Sequence, residues 1–134
     1  MERGLVLVMV MKKTKILICD DSSLIRKQLK DLLMKMDCEV IEAVDGEEVF
    51  GIFKEVEPDL VFMDIVMPGA DGLEALQKIK AYQQDAKVVM LSSIGTSTKL
   101  IQALKCGAMD FIQKPYTTEQ ISKVITDVRQ SKLA

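Results

Sequence analysis

Five residues of this chain could do chemistry together: the acidic pair Asp20-Asp21, Asp64, the hydroxyl of Ser92 and the ammonium of Lys114. They stand just beyond, or at the end of, short apolar runs. Three carboxylates brought to one place repel one another unless a cation separates them, and an all-oxygen donor set suits a hard divalent ion, Mg²⁺ above all. A carboxylate nucleophile, a metal held by neighbouring carboxylates, a lysine and a hydroxyl are the parts that phosphoryl transfer requires, because that reaction depends on positioning and charge neutralisation. The three outer phosphoryl oxygens would then meet Mg²⁺, Lys114 and Ser92 in turn. Singly, each residue has a plainer explanation. Ser92 or Ser93 could cap a helix, Lys114 could be a solvated loop lysine, and Asp45-Gly46 and Asp71-Gly72 read as turn formers. For the acids, the hydroxyl and the lysine these explanations fail jointly, since they require the whole set to gather by accident.

What gathers them is a repeated unit. Apolar runs at 15–19, 39–44, 59–63, 87–91 and 110–113 alternate with segments whose apolar residues recur every three or four positions, the pattern of five βα units. The intervening segments predict helices carrying Leu29, Leu32, Leu33 and Met36, then Val49, Phe50, Phe53 and Val56, then Leu73, Leu76 and Ile79. A fourth contains Leu100, Ile101 and Leu104 and stops at Gly107, and a last one turns Ile121, Val124, Ile125 and Val128 inward. Ser22 or Ser23 caps the first, and Thr117 with Gln120 spells a capping box for the last. The run at 59–63 is nearly all apolar, so it predicts a central strand covered on both faces. Parallel strands joined by right-handed crossovers form a doubly wound α/β sandwich, whose ligands sit beyond the carboxyl ends of the strands. That rule selects Asp20-Asp21, Asp45-Gly46, Asp64, Ser92-Ser93 and Lys114.

Composition narrows the chemistry further. The 134 residues suit one domain, and 49% hydrophobic with 28% charged residues describes a globular chain. A net charge of −2 argues against a nucleic-acid surface. No apolar run reaches the roughly 18 residues of a spanning helix, so no membrane insertion is expected. The chain has no histidine, which excludes Ser-His and Cys-His nucleophiles, histidine-ligated zinc and a phosphohistidine of its own. Cys19, Cys38 and Cys106 lack a CxxC spacing and read as reduced thiols in a cytoplasmic protein. Residues 1–12 read as a disordered leader or a mis-assigned start, leaving 13–134 as the domain.

The motifs Asp20-Asp21, Met63-Asp64-Ile65-Val66-Met67-Pro68-Gly69-Ala70-Asp71-Gly72, Met90-Leu91-Ser92-Ser93 and Phe111-Ile112-Gln113-Lys114-Pro115 stand in order over 13–129. In these the chain resembles the CheY-like receiver domains of two-component response regulators. The resemblance implies a flavodoxin-like (βα)5 three-layer sandwich with strand order 2-1-3-4-5. It implies that Asp64 accepts a phosphoryl group from a sensor histidine kinase or a small acyl phosphate. Mg²⁺ would be ligated by Asp21, Asp64 and the backbone carbonyl of Val66, with Asp20 acting mainly through a metal-bound water. Lys114 would hold phosphoryl oxygens, its bond to Pro115 would be cis, and Ser92 and Phe111 would form a switch pair. The responding face would be the fourth helix, fifth strand and fifth helix, over 96–106, 110–113 and 118–130, where a downstream protein binds.

By the same resemblance the protein is a monomer or weak phosphorylation-dependent dimer and no turnover enzyme, since phosphorylation and dephosphorylation are self-directed. No output domain is expected after Arg129. Val66 and Ile94 are apolar where polar side chains are common in the family, which predicts a long-lived phosphoryl group. Ser93 and Phe111 also depart from the common alanine and tyrosine. Three other readings compete. An aspartate-nucleophile phosphatase would need a second Asp where Val66 stands. A flavin-binding protein would place phosphate against Asp20-Asp21, which repel it. The third is an unphosphorylated pseudo-receiver scaffold.

Overall fold

Each apolar run pairs with its neighbours as a parallel strand, and each amphipathic segment coils back over the sheet as a helix. The computed structural model describes residues 13–67, 71–93 and 97–133. The expected leader, Pro68-Gly69-Ala70 and Ile94 with Thr96 lie outside the described residues. The strands are β1 (Thr14–Cys19), β2 (Cys38–Ala43), β3 (Leu60–Asp64), β4 (Val88–Ser92) and β5 (Asp110–Gln113). The helices are α1 (Ser23–Lys35), α2 (Gly46–Val56), α3 (Gly72–Tyr82), α4 (Ser97–Lys105) and α5 (Thr118–Leu133). All pairings are parallel and the order is β2-β1-β3-β4-β5, the order the resemblance implied.

Strand periodicity divides the core in two. Leu17, Cys19, Val61, Met63, Val88 and Met90 point to one face, where Val49 and Phe53 of α2, Leu76 and Ile79 of α3, and Ala103 of α4 cover them. Ile16, Ile18, Leu60, Phe62, Val89 and Leu91 point to the other, under Leu29 and Leu33 of α1 and Ile121, Val124, Ile125 and Val128 of α5. Every residue of β3 and β4 is buried, as a central strand covered on both faces should be.

The helix starts use the side chains that the sequence offers. Ser22 Oγ accepts from the Ile25 amide, and Asp45 Oδ1 accepts from those of Glu47 and Glu48. Asp71 Oδ1 accepts from the Glu74 amide, so Asp45 and Asp71 are helix caps. Thr117 and Gln120 form both bonds of the capping box, at 3.1 and 2.8 Å. At the far end, Arg129 of α5 donates to Thr14 Oγ1 at 2.9 Å and to the Met36 carbonyl at 2.6 Å, fastening α5 across β1 to the end of α1.

One sequence expectation needs correcting. β3 and β4 run one residue further than the apolar runs, through Asp64 and Ser92, because Asp64 still pairs with Leu91 and Ser92 with Gln113. Backbone pairing is indifferent to the polarity of the last side chain. On α4 it is Leu100 and Ala103 that meet the core, whereas Ile101 and Leu104 are exposed.

Candidate functional site

The five residues singled out above converge at the carboxyl ends of β1, β3, β4 and β5. Asp20 follows β1 and is held from several directions: its Oδ1 accepts from the Ser22 amide at 2.9 Å, and its backbone carbonyl accepts from Arg26 Nη1 at 2.7 Å. Arg26 is itself fixed by Glu42 of β2, with Nε to Oε1 at 3.1 Å. Asp64 ends β3, and its Oδ1 faces the Val66 amide at 3.4 Å. Lys114 follows β5, its amide donates to the Ser92 carbonyl at 2.7 Å, and its bond to Pro115 is cis.

Lys114 Nζ lies 2.7 Å from Oδ2 of Asp20, 94 positions away in sequence, and 3.3 Å from Asp64 Oδ2, so it bridges the two acids. It is therefore no solvated loop lysine. Asp20 is 1% exposed and Asp64 7%, whereas Asp21 is exposed, so the acidic group has one wet side. Carboxylate oxygens of Asp20, Asp21 and Asp64 all come within 4.8 Å of one another. Burial raises the pKa of Asp64 above the ordinary 3.8; Lys114 pulls it down, Asp20 pushes it up, and the Val66 amide pulls it down slightly. For Lys114, burial opposes the charge, but the bond to Asp20 and the two carboxylates outweigh it and raise its pKa.

Three carboxyl groups face one ammonium in a partly dry recess, an excess of acid over base. All the side-chain donors on the open side are oxygens. The residues present thus fit a hard divalent cation, for charge and for ligand type alike.

Ser92 is 1% exposed and its Oγ has no hydrogen-bond partner among the described residues, so it does not cap α4. Phe111, on the neighbouring edge strand, is 41% exposed. Cys19 lies beneath the acids, 3.3 Å from both the Asp45 carbonyl and Met67 Sδ. Burial, then the charges of Asp45, Asp20 and Asp64, push its thiol up to about 12, away from the thiolate form that a nucleophile uses. The cysteines are all free thiols.

Sequence reasoning missed three participants. Arg26 reads on paper as one more exposed helix cation. Gly72 opens α3 so close to β3 that a Cβ would stand 2.0 Å from the Asp64 carbonyl oxygen, so the Asp71-Gly72 pair marks a close approach as well as a cap. Tyr116, packed against the α1 and α5 side of the core, hides a hydroxyl without a partner among the described residues.

The chain forms a parallel 2-1-3-4-5 sheet with an acidic recess, a hydroxyl and a lysine at its carboxyl edge, and the response regulator receiver domain family matches residues 16–126. The chain belongs to that family. Among its relatives is the chemotaxis protein CheY of Bacillus subtilis, 41% identical over 112 residues that cover 83% of this chain and 93% of that protein. CheY of Thermotoga maritima is 37% identical over 115 residues, covering 85% and 96%. The crystal structure of a response regulator receiver domain protein from Clostridium thermocellum superposes with a TM-score of 0.85 at 33% identity, covering 89% of this chain and 96% of that one. Among the described residues no helix is long and apolar enough to cross a membrane.

Proposed function

We propose that this protein is a cytoplasmic phosphoacceptor that takes a phosphoryl group on Asp64 from a sensor histidine kinase and passes the signal on by protein contact. The observation that carries it is the bridging Lys114, 2.7 Å from Asp20 and 3.3 Å from Asp64, beside three carboxylates that need a divalent cation. A carboxylate oxygen of Asp64 attacks the phosphorus of a phosphohistidine or acyl phosphate. A new O–P bond forms, and the donor's N–P or O–P bond breaks with its electron pair leaving on the imidazole or carboxylate. Lys114 screens the incoming phosphoryl oxygens, and the idle Ser92 hydroxyl donates to one of them. Asp20, Asp21, Asp64 and the Val66 carbonyl would hold Mg²⁺, Asp20 mainly through water, and the ion supplies neutralisation of the phosphoryl charge. Hydrolysis reverses the outcome: water attacks phosphorus, the bond to Asp64 breaks, and phosphate leaves with the carboxylate restored. The chemistry is self-directed and stoichiometric, which makes the protein a signalling component and no turnover enzyme.

Phosphate on Asp64 adds charge at one point, and Ser92 with Phe111 converts it into a surface change. The receiving surface is the side made by α4, β5 and α5, where Ile101, Leu104, Met109 and Phe111 are exposed apolar side chains. A chemotaxis-type or relay target binds there, with the protein a monomer or weak phosphorylation-dependent dimer. The phosphatase alternative is disfavoured by apolar Val66 in the second-acid position, and a scaffold without phosphorylation by the complete acid, hydroxyl and lysine set. The test is incubation with acetyl phosphate, with and without Mg²⁺, followed by intact mass. One added phosphoryl group is expected only on wild-type protein with Mg²⁺, and none on Asp64→Asn. Equal modification of that variant, or modification without Mg²⁺, would overturn the assignment.

A further inference from the structure

Helix α1 carries a cation where a helix is least hospitable to one. Its first turn has no acidic residue and ends on Arg26, although the amino end of a helix dipole favours negative charge. The Arg26 side chain is only 14% exposed, and the guanidinium is in use on both sides. Nε pairs with Glu42 Oε1 of β2 at 3.1 Å, and Nη1 donates to the backbone carbonyl of Asp20 at 2.7 Å. Lys30, one turn further along α1, meets the second Glu42 oxygen at 3.5 Å, so the carboxylate that braces Arg26 is itself held at both oxygens. Holding a largely buried cation in one pose costs side-chain entropy and desolvation, which these bonds must offset.

The carbonyl that Arg26 holds belongs to the peptide joining Asp20 to Asp21, so the guanidinium grips the link between the two acids that follow β1. The Asp20 amide donates to the Ala43 carbonyl at 3.3 Å, and β2 therefore fixes Asp20 twice, once through its backbone and once through Glu42. The Asp20 carboxylate has further support from the Ser22 amide and Lys114. Asp21 has none: it is exposed, and no hydrogen bond or ion pair holds its carboxylate among the described residues. Its aim at the recess, where its oxygen comes within 4.8 Å of those of Asp20 and Asp64, is set by its backbone, and a turn of the Asp20-Asp21 peptide would swing it away. A lysine could supply the charge at position 26 but not the two bonds, which need the planar spread of a guanidinium.

We propose that Arg26, braced by Glu42, is a positioning residue for the divalent cation: by fixing the Asp20-Asp21 peptide it aims Asp21 at the site before the ion arrives, and so raises the affinity of the recess for Mg²⁺. This rests on the metal-dependent function proposed above and adds to it the residue that prepares the wet side of the site. The sign of the effect separates position from charge. A cation beside an acidic recess repels Mg²⁺, so removing an arginine that acted by charge alone would tighten binding. Removing one that acts by position weakens it.

The test is calorimetric titration of the unphosphorylated protein with magnesium chloride, comparing wild type, Arg26→Lys, Arg26→Met and Arg129→Met, each first shown to be folded by a thermal melt. Arg26→Lys keeps the charge and loses the fork. Its dissociation constant for Mg²⁺ should rise roughly tenfold, the usual effect of losing an outer residue that orients a metal ligand, and that of Arg26→Met at least as much. Arg129→Met loosens the fold from the opposite end of the sheet and should bind Mg²⁺ as wild type does. At saturating Mg²⁺, acetyl phosphate should modify Arg26→Lys at close to the wild-type rate, because the defect lies in affinity. If wild type binds Mg²⁺ and both Arg26 variants bind it as tightly or more so, the inference fails and phosphorylation at Asp64 stands. Equal weakening in Arg129→Met, or a rate for Arg26→Lys that stays low at saturating Mg²⁺, would also overturn it. A wild-type protein that takes up no Mg²⁺ sinks both readings. Should Arg26→Met fail to fold, Arg26→Lys decides the matter alone.

Discussion

Glycine to alanine inside a helix normally stabilises a protein by up to about 1 kcal/mol, through the unfolded chain and intrinsic propensity. Two glycines of this fold should give opposite signs. At Gly51, exposed in the middle of α2, an added Cβ meets nothing within 4 Å, so Gly51→Ala should stabilise by about 1 kcal/mol. At Gly72 the added Cβ would lie 2.0 Å from the Asp64 carbonyl oxygen and 2.9 Å from both the Asp64 carbonyl carbon and the Ile65 Cα. An unstrained carbon–oxygen contact is about 3.4 Å, so α3 and the end of β3 must separate by roughly 1.4 Å. Both partners are backbone, and the Gly72 amide bond to the Ile65 carbonyl, now 2.9 Å, stretches with them. Overpacking of this kind costs about 1–3 kcal/mol and the strained hydrogen bond about 1 more, which the helix-propensity gain only partly offsets. The net loss is about 3 kcal/mol, or roughly 10 °C in Tm for a chain of this size. Parallel urea and thermal melts of the two variants measure it. A Gly72→Ala protein as stable as wild type would refute the close-approach reasoning. Because the displaced atoms belong to the phosphoacceptor, the same variant should accept phosphate from acetyl phosphate more slowly, with Gly51→Ala indistinguishable from wild type.

Three further outcomes are expected. The raised Asp64 pKa means that between 3.8 and its folded value the native chain holds more protons than the unfolded one, so stability falls as pH rises through that window. Asp64→Asn should therefore be more stable than wild type at pH 7, with the advantage shrinking toward pH 3.8; an advantage that grows on acidification would contradict the sign. Arg129→Met removes the bonds to Thr14 and Met36 and should lower stability by about 3 kcal/mol in urea melts, with Arg129→Lys recovering little because an ammonium lacks the guanidinium fork. Val66, 51% exposed two residues beyond Asp64, presents an apolar side chain to an incoming water, so Val66→Asn should shorten the phosphoryl lifetime severalfold; unchanged decay rules that out.

The sequence made the five βα units and the converging residues legible because both depend on local patterning and on a general rule about sheet edges. Its blind spots have a common cause. The strands carrying Asp64 and Ser92 looked one residue short because a polar side chain ends an apolar run without ending a hydrogen-bonded ladder. Arg26, Gly72 and Arg129 act on groups far along the chain or on backbone atoms, and composition says nothing of either. Ile101 and Leu104 keep helical spacing while facing away from the core, so periodicity alone cannot tell a buried stripe from an exposed apolar one. The idle hydroxyls of Ser92 and Tyr116 show only when every buried polar atom is matched with its partner.

Lys114 reaches back 94 residues to neutralise Asp20, so the recess is completed by the last strand of the sheet. A chain that has assembled β1 and β3 but not β5 holds its carboxylates together with no ammonium among them, and they drive one another apart. On the function proposed above, competence to be phosphorylated is then a property of the finished fold, and a partly melted copy would present the acid without its lysine.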